Sequence, residues 1–305
     1  MEAMTNSKEH ELEQRMRAEF QVGGIDRELP RDQQLEQLAS YIYAHYTQPE
    51  KNPPWSDQPS DIVAIDTYDA MLPDRITHAA MIMLGAAVDH AMPGVAFPGQ
   101  ITVEDHPTLA AQIFHPSQTN GNWAISLHPG GWWKGSGVAL ENAWRPEVAA
   151  VAELSGTTIL DLDYPLVPQA NLAEVIESVN QAANWVREQN PSQLFSWGYS
   201  SGAALAVLSA SLFDALALTF PHLDLSMLPE AIRGEVAFDT TAPLPARLVQ
   251  YASNDQIASR YPWVESTAHS DAQIVEYISE HRLSTPEQAR KRVKDVAEFF
   301  NQLAD

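Results

Sequence analysis

Residues Ser192–Ala210, SQLFSWGYSSGAALAVLSA, decide the fold. An apolar stretch, Leu194–Trp197, runs into Gly198-Tyr199-Ser200-Ser201-Gly202, and small and apolar residues follow. That order reads as strand, tight turn, helix. The turn fits G-x-S-x-G, a pattern in which the serine takes a strained strand-to-helix corner and its hydroxyl stands clear of the sheet. Glycine at 198 and 202 keeps side chains from colliding across the corner. The helix that follows aims the positive end of its dipole at Ser200.

Working outward, the flanking chain alternates strands and helices. Trp123–Leu127, Thr158–Leu162, Leu216–Thr219, Arg247–Ala252 and Ile274–Ile278 read as strands. Pro146–Leu154 reads as a helix closed by Gly156. Asn171–Arg187 reads as an amphipathic helix opened by an Asn171/Glu174 capping pair. Thr285-Pro286 opens a last helix with Ala289, Val293, Val296, Phe300 and Leu303 on one face. Ile101–Asp105 and Leu109–Phe114 are expected to form a hairpin around His106-Pro107-Thr108. Such alternation implies an α/β fold with a mostly parallel, doubly wound sheet.

Nothing before about residue 98 suggests a sheet. A polar helix and loop are expected over residues 1–30, a helix over Arg31–Thr47, a Pro-rich connector over Gln48–Ser60 and a second helix within Leu72–Met92. The chain therefore divides into an N-terminal helical extension, 1–98, and an α/β domain, 99–305. Met71, Met81, Met83 and Met92 suit either core or an apolar pocket.

Composition narrows the function classes. Among 305 residues, 18 Lys and Arg face 40 Asp and Glu, a net charge of −22. Such a surface argues against nucleic acid and anionic membranes, and it weakly repels anionic substrates. The absence of cysteine excludes disulfides and thiolate metal sites. The N-terminus lacks the apolar core of a signal peptide, and the longest apolar run, Ala79–Val88, is too short to span a bilayer. A soluble cytoplasmic protein is the expectation, with the oligomeric state open, a homo-oligomer included. No metal-ligand spacing, phosphate loop or dinucleotide fingerprint is present, so no metal and no cofactor are expected. Lys134 and Arg145 read as surface charges.

A serine hydroxyl needs a base, an acid that orients the base, and N–H donors aimed at the developing oxyanion. His128-Pro129-Gly130-Gly131-Trp132-Trp133 follows a buried strand, and its glycines let backbone amides turn toward a reacting carbonyl. Gly130 and Gly131 supply N–H groups, Pro129 cannot, and the Ser201 amide is a third donor.

HPGGWW, DYPLVP (Asp163–Pro168) and GYSSG, in this order, resemble the α/β-hydrolase fold, and more narrowly the hormone-sensitive-lipase-like carboxylesterases, whose segments read HGGG and DYRLAPE. The resemblance covers residues 99–305 and implies a serine hydrolase acting on small-molecule carboxylic esters without a cofactor. It implies an oxyanion hole at Gly130, Gly131 and Ser201, and a helical cap built from residues 1–98. The chain departs from the family pattern in four ways. Pro129 replaces a glycine, Pro165 replaces an arginine, and Ser201 stands where alanine or glycine is usual. The glycine ahead of the acid loop is missing from Tyr251–Asp255.

In such a fold the acid follows one strand and the histidine the next. Asp255 lies just past Arg247–Ala252, ahead of the alternatives Asp239 and Asp271. Arg260–Ala272 can then supply a helix and Ile274–Ile278 a strand, which places His281 beyond the strand end. His269 would sit on that helix, and His222 breaks the Ser…Asp…His chain order. The expected triad is Ser200, His281 and Asp255. The rival chemistry is formamide hydrolysis, since arylformamidases carry an HGG-x-W segment and Trp132 fits it. The rival class is a non-catalytic ligand binder of the same fold, against which candidates for all three triad members speak.

Overall fold

The computed structural model describes residues 29–85, 88–266 and 271–304. The polar helix expected before residue 29 and the candidate His269 lie outside the described residues.

The helical N-terminal part comes first. Helix α1 (Arg31–His45) buries Leu35, Leu38, Ala39 and Ile42. Helix α2 (Ile62–Ala70), which the sequence pattern leaves unassigned, is started by Asp61, whose carboxylate accepts from the Val63 and Ala64 amides. Helix α3 (Leu72–Leu84) lies within the expected Leu72–Met92 and stops at Gly85, and α4 (Pro93–Ala96) is a single turn. Leu38, Ile42, Ile76, Ala80 and Leu84 form one apolar cluster with Leu283, a residue of the loop after the last strand.

The sheet domain begins with the expected hairpin, shifted by one or two residues. Strands β1 (Thr102–His106) and β2 (Ala111–His115) flank a 3-10 turn at Pro107–Leu109, after which Ala110 takes φ 51°. Then come β3 (Trp123–Leu127), α5 (Arg145–Ser155), β4 (Thr158–Leu162), α6 (Leu172–Glu188), β5 (Leu194–Tyr199), α7 (Ser201–Leu208), β6 (Ala215–Thr219), α8 (Glu230–Arg233), β7 (Ala246–Ala252), α9 (Pro262–Glu265), β8 (Gln273–Tyr277) and α10 (Pro286–Gln302). Gly156 ends α5 at φ 67°, and the Asn171/Glu174 capping box opens α6. The helix expected over Arg260–Ala272 is one turn only. Ser266 turns extended and bridges to Asp271, which ends α9.

The eight strands lie in the order β1-β2-β4-β3-β5-β6-β7-β8, with β1 and β2 antiparallel to their neighbours and the rest parallel. The alternation of β5 shows how both faces are covered. Phe195 and Trp197 point toward α5 and α10, where Phe195 stacks on Phe300 at 4.9 Å. Leu194 joins the opposite cluster, with Val175, Val179 and Val186 of α6 and the small residues of α7. Each fully buried Val, Leu or Phe among them contributes roughly 1.5–3 kcal/mol. The chain adds β4 on one side of β3 and then β5 on the other. That reversal makes a crevice at the carboxyl ends of β3 and β5, the place where ligands collect in open α/β sheets.

Candidate active site

Ser200 sits at that crevice between β5 and α7, with φ 57° and ψ −114°. A β-carbon-bearing residue holds this left-handed conformation only when its surroundings over-determine it. Here its amide donates to the Thr219 carbonyl at 2.9 Å, and its carbonyl accepts from Ala204 at 3.2 Å and from His222 at 3.3 Å. The corner also needs both glycines. A β-carbon at Gly202 would collide with the Leu127 carbonyl, and one at Gly198 with the Gly202 carbonyl.

The structure brings together Ser200, His281 and Asp255. Ser200 Oγ lies 2.9 Å from His281 Nε2, and His281 Nδ1 lies 2.8 Å from Asp255 Oδ2. With the Nδ1 proton donated to the carboxylate, Nε2 is left to accept from the Ser200 hydroxyl. Asp255 also accepts from the Ile257 and Ala258 amides, each at 2.8 Å. Burial raises the Asp255 pKa, but the bond from His281, its charge and these amides outweigh burial and hold it below the usual carboxylate value. Tyr199 fixes the loop from the other side. Its phenol donates to the His281 carbonyl, and its ring lies 5.7 Å from the imidazole at 12°.

The structure does not bring the other candidates to this position. Asp239 caps its own turn by accepting from Thr241 and Ala242, and Asp271 accepts from Ser266 Oγ. His222 does line the same cavity as Ser200. Burial, and then the neighbouring His281, lower its pKa.

The His128–Gly131 loop is locked beneath the crevice. His128 is fully buried, its Nδ1 lies 2.8 Å from the Pro129 carbonyl, and its ring stacks on Tyr164 at 4.1 Å. Burial lowers its pKa. Tyr164 donates to the His128 carbonyl at 2.8 Å, which gives DYPLVP a structural task. Gly130 has φ 151°, and a β-carbon there would strike the Lys134 carbonyl. The Gly131 amide donates to Ser201 Oγ at 2.9 Å. The hydroxyl that departs from the family pattern thus occupies one of the expected oxyanion donors.

The cavity over Ser200 measures ≈ 260 Å³. Leu72, Pro73 and Ile76 of the N-terminal part line it together with Gly130, Gly131 and His281. Met92 lines it too, whereas Met71 and Met81 are largely exposed. Two expectations from sequence are corrected here. Lys134 and Arg145 are not surface charges but buried, 7 % and 9 % exposed. Lys134 Nζ donates to Asp69 at 2.8 Å, and Arg145 Nε to the fully buried Asp161 at 3.0 Å. A buried cation needs such a partner; that of Lys134 is remote in sequence, and Arg145 pairs with the nearby Glu141 as well as with Asp161.

Sequence reasoning also passes over Tyr199, Asp69, Arg282 and Arg292. For Arg292 a signal exists. It lies three residues after Ala289 and one before Val293, so it falls within the apolar stripe of α10.

A family model described as alpha/beta hydrolase fold matches residues 124–290. No curated protein sequence matches the chain. Among solved structures, an esterase of Pyrobaculum calidifontis is 18 % identical, with a TM-score of 0.59 over 81 % of this chain and 94 % of its own. An esterase/lipase from an uncultured bacterium is 18 % identical, with a TM-score of 0.63 over 89 % and 98 %. An esterase from the bacterial hormone-sensitive lipase family is 14 % identical, with a TM-score of 0.63 over 91 % and 100 %. At these identities the likeness to the solved structures is one of fold. The family model spans more than half of the chain, and on that ground the protein belongs to the α/β-hydrolase fold family.

Proposed function

We propose that this chain is a carboxylic ester hydrolase with a preference for short acyl groups, working through Ser200, His281 and Asp255. The observation that carries the reading is the continuous hydrogen-bonded path from Asp255 through His281 to a serine held at a strained corner. Ser200 Oγ attacks the ester carbonyl carbon while its proton passes to His281 Nε2. The carbonyl oxygen becomes an oxyanion facing the amides of Gly130, Gly131 and Ser201. The tetrahedral intermediate collapses, and the alkoxide leaves with the proton from His281. Water, activated by the same imidazole, then attacks the acyl-enzyme and releases the acid. Asp255 keeps the imidazole in the required tautomer and offsets the imidazolium charge as it forms.

Residues 1–98 act in this reading as a cap over the α/β domain, 99–305. Supporting it, Leu72, Pro73, Ile76 and Met92 bound a cavity of ≈ 260 Å³, a volume suited to a short acyl chain. The substrate is a small molecule, and among the described residues no helix is long and apolar enough to cross a membrane.

The test pairs a fluorophosphonate label with an ester panel. Labelling at Ser200, and faster turnover of p-nitrophenyl butyrate than of the laurate ester, are expected. An unlabelled Ser200 would point to the ligand-binding class instead. Faster turnover of N-formylkynurenine than of any ester would replace ester with formamide chemistry.

A further inference from the structure

The cavity over Ser200 carries a charge balance opposite to that of the molecule. Four of the chain's 18 Lys and Arg residues line it: Lys51, Lys134, Arg282 and Arg292. Among the described residues only two carboxylates, Asp69 and Glu147, line it with them. Asp69 is shared by both lysines, at 3.1 Å from Lys51 and 2.8 Å from Lys134. Neither His222 nor His281 adds a negative charge, and Asp255 is not among the lining residues. In a protein of net charge −22, this pocket is lined by an excess of cations.

The two arginines hold donors that the protein itself does not use. Arg292 is buried, with 6 % of its side chain exposed, and Nη2 donates to Glu147 at 2.6 Å. Its Nε and Nη1 are buried and donate to no group among the described residues. Its guanidinium also lies 5.4 Å from the Tyr199 ring centroid, in contact with the residue before the serine. Arg282 directly follows His281. It makes no hydrogen bond and no ion pair among the described residues, and it lines a neighbouring pocket with Tyr43, whose phenol donates to Glu280. A buried guanidinium donor without an acceptor is costly, and a planar fork of donors matches a carboxylate.

We propose that the substrate is an ester that also carries an ionised carboxylate, recognised by Arg282 and Arg292. The inference rests on the ester-hydrolase reading of Ser200 and names its substrate class. It reverses the expectation that the acidic chain repels anionic substrates: the surface field is long-ranged and screened by salt, whereas the arginines act within the cavity. The carboxylate accepts from the free guanidinium donors while the ester carbonyl faces Ser200, so recognition of the anion also orients the ester.

The experiment compares matched esters by kcat/KM. Monomethyl glutarate, with the carboxylate on the acyl half, is set against dimethyl glutarate. The acetate ester of 4-hydroxybutyrate, with the carboxylate on the alcohol half, is set against its methyl ester. At least one anionic member should exceed its neutral partner by about tenfold or more, as expected for a charge-assisted contact. The pair that does so identifies the half that carries the charge. Arg282→Gln should reduce that preference about tenfold, mainly through KM, with Arg282→Lys restoring part of it. Arg292→Gln should do the same. If it fails to fold, the Arg282 variants still decide.

Equal or slower turnover of both anionic esters, with the neutral esters hydrolysed, overturns this inference alone. Turnover of no ester, with Ser200 unlabelled by fluorophosphonate, removes the ester-hydrolase reading and this inference with it. Inhibition of dimethyl glutarate turnover by inorganic phosphate but not by glutarate overturns the carboxylate assignment.

Discussion

The wall of the cavity that comes from the sheet domain is fixed by backbone, whereas the wall that comes from residues 31–96 is fixed by side chains. On the sheet side Gly130, Gly198 and Gly202 allow main-chain approaches that no β-carbon tolerates, and the Ser200 amide and carbonyl are tied to β6, to α7 and to the loop after β6. On the helical side the attachments are discrete. Asp69 reaches Lys134, Asp66 accepts from the Val138 and Ala139 amides at 2.9 and 3.2 Å, and Tyr43 donates to Glu280. Leu283 inserts between α1 and α3. Backbone contacts leave almost no freedom, while side-chain contacts can be lost one at a time. Chemistry should therefore be sensitive to the sheet side, and selectivity to the helical side.

The largest expected effect follows from the reacting groups themselves. Ser200→Ala and His281→Ala should each lower kcat on p-nitrophenyl butyrate by about 10³-fold or more, with thermal unfolding unchanged in Ser200→Ala and lowered in His281→Ala, which leaves Asp255 without its partner. Members of such a unit are not additive, so the double variant should be little worse than either single one. A His281→Ala variant retaining more than about a tenth of the activity would break the comparison, because the reacting groups would then not depend on the sheet-side loops.

Gly202→Ala comes next. Its β-carbon would have to displace the Leu127 and His128 carbonyls, at the carboxyl end of β3 and the start of the loop that follows it. Forcing atoms into packed backbone should cost about 3 kcal/mol, at the upper end of overpacking effects. Chemical denaturation should show a lowered midpoint together with a fall in kcat. A tolerated alanine would mean that the corner relaxes, and that the sheet-side wall is not as rigid as its contacts imply.

Asp69→Asn addresses the other wall. It leaves Lys51 and Lys134, whose side chains are 17 % and 9 % exposed, without their shared carboxylate. Removing one partner of a partly buried ion network should cost about 2 kcal/mol, less than for a fully enclosed pair. The larger signature should be in selectivity. The ratio of p-nitrophenyl acetate to octanoate turnover should shift, while kcat on the acetate changes less than about threefold. Lost acetate turnover with an unchanged ratio would reverse the roles assigned to the two walls.

The same contrast explains what was legible in the sequence. The Gly198–Gly202 corner is local: each residue's demand is met by neighbours a few positions away, so the pattern announces itself. The mostly parallel, doubly wound sheet follows from the alternation of strands and helices, whereas its order around β3 and β5 is seen only in the structure. Asp255 and His281 were accessible because each lies just past a strand end, although the intervening helix is one turn rather than the expected Arg260–Ala272. The remaining features are long-range. Asp69 and Lys134 are 65 positions apart, and nothing near either residue names the other. Lys134 therefore reads as a surface charge, since a buried cation is recognised only by its partner. Helix α2 is not legible for a different reason: it is short, and its apolar residues fall on both sides, Ile65 and Tyr68 buried but Ile62 and Val63 exposed.

The smallest expected effect lies where the chain departs from its family's pattern. The Gly131 amide has two uses. At rest it donates to Ser201 Oγ at 2.9 Å, and in the proposed reaction it faces the oxyanion. A donor shared between a neutral hydroxyl and an anion favours the anion, since charge-assisted bonds are about twice as strong, but the hydroxyl still takes part of the amide's capacity. Ser201→Ala removes the competitor and leaves the Ser201 amide, the other proposed donor, in place. It also removes the acceptor that holds the loop before substrate arrives, at a cost of about 1 kcal/mol in stability. The expected outcome is a kcat on p-nitrophenyl butyrate raised about two- to threefold, with KM nearly constant, because the gain is confined to the transition state. A loss of kcat of about tenfold or more would show instead that the Ser201 hydroxyl preorganises the oxyanion loop, and that side-chain contacts reach into the sheet-side wall as well.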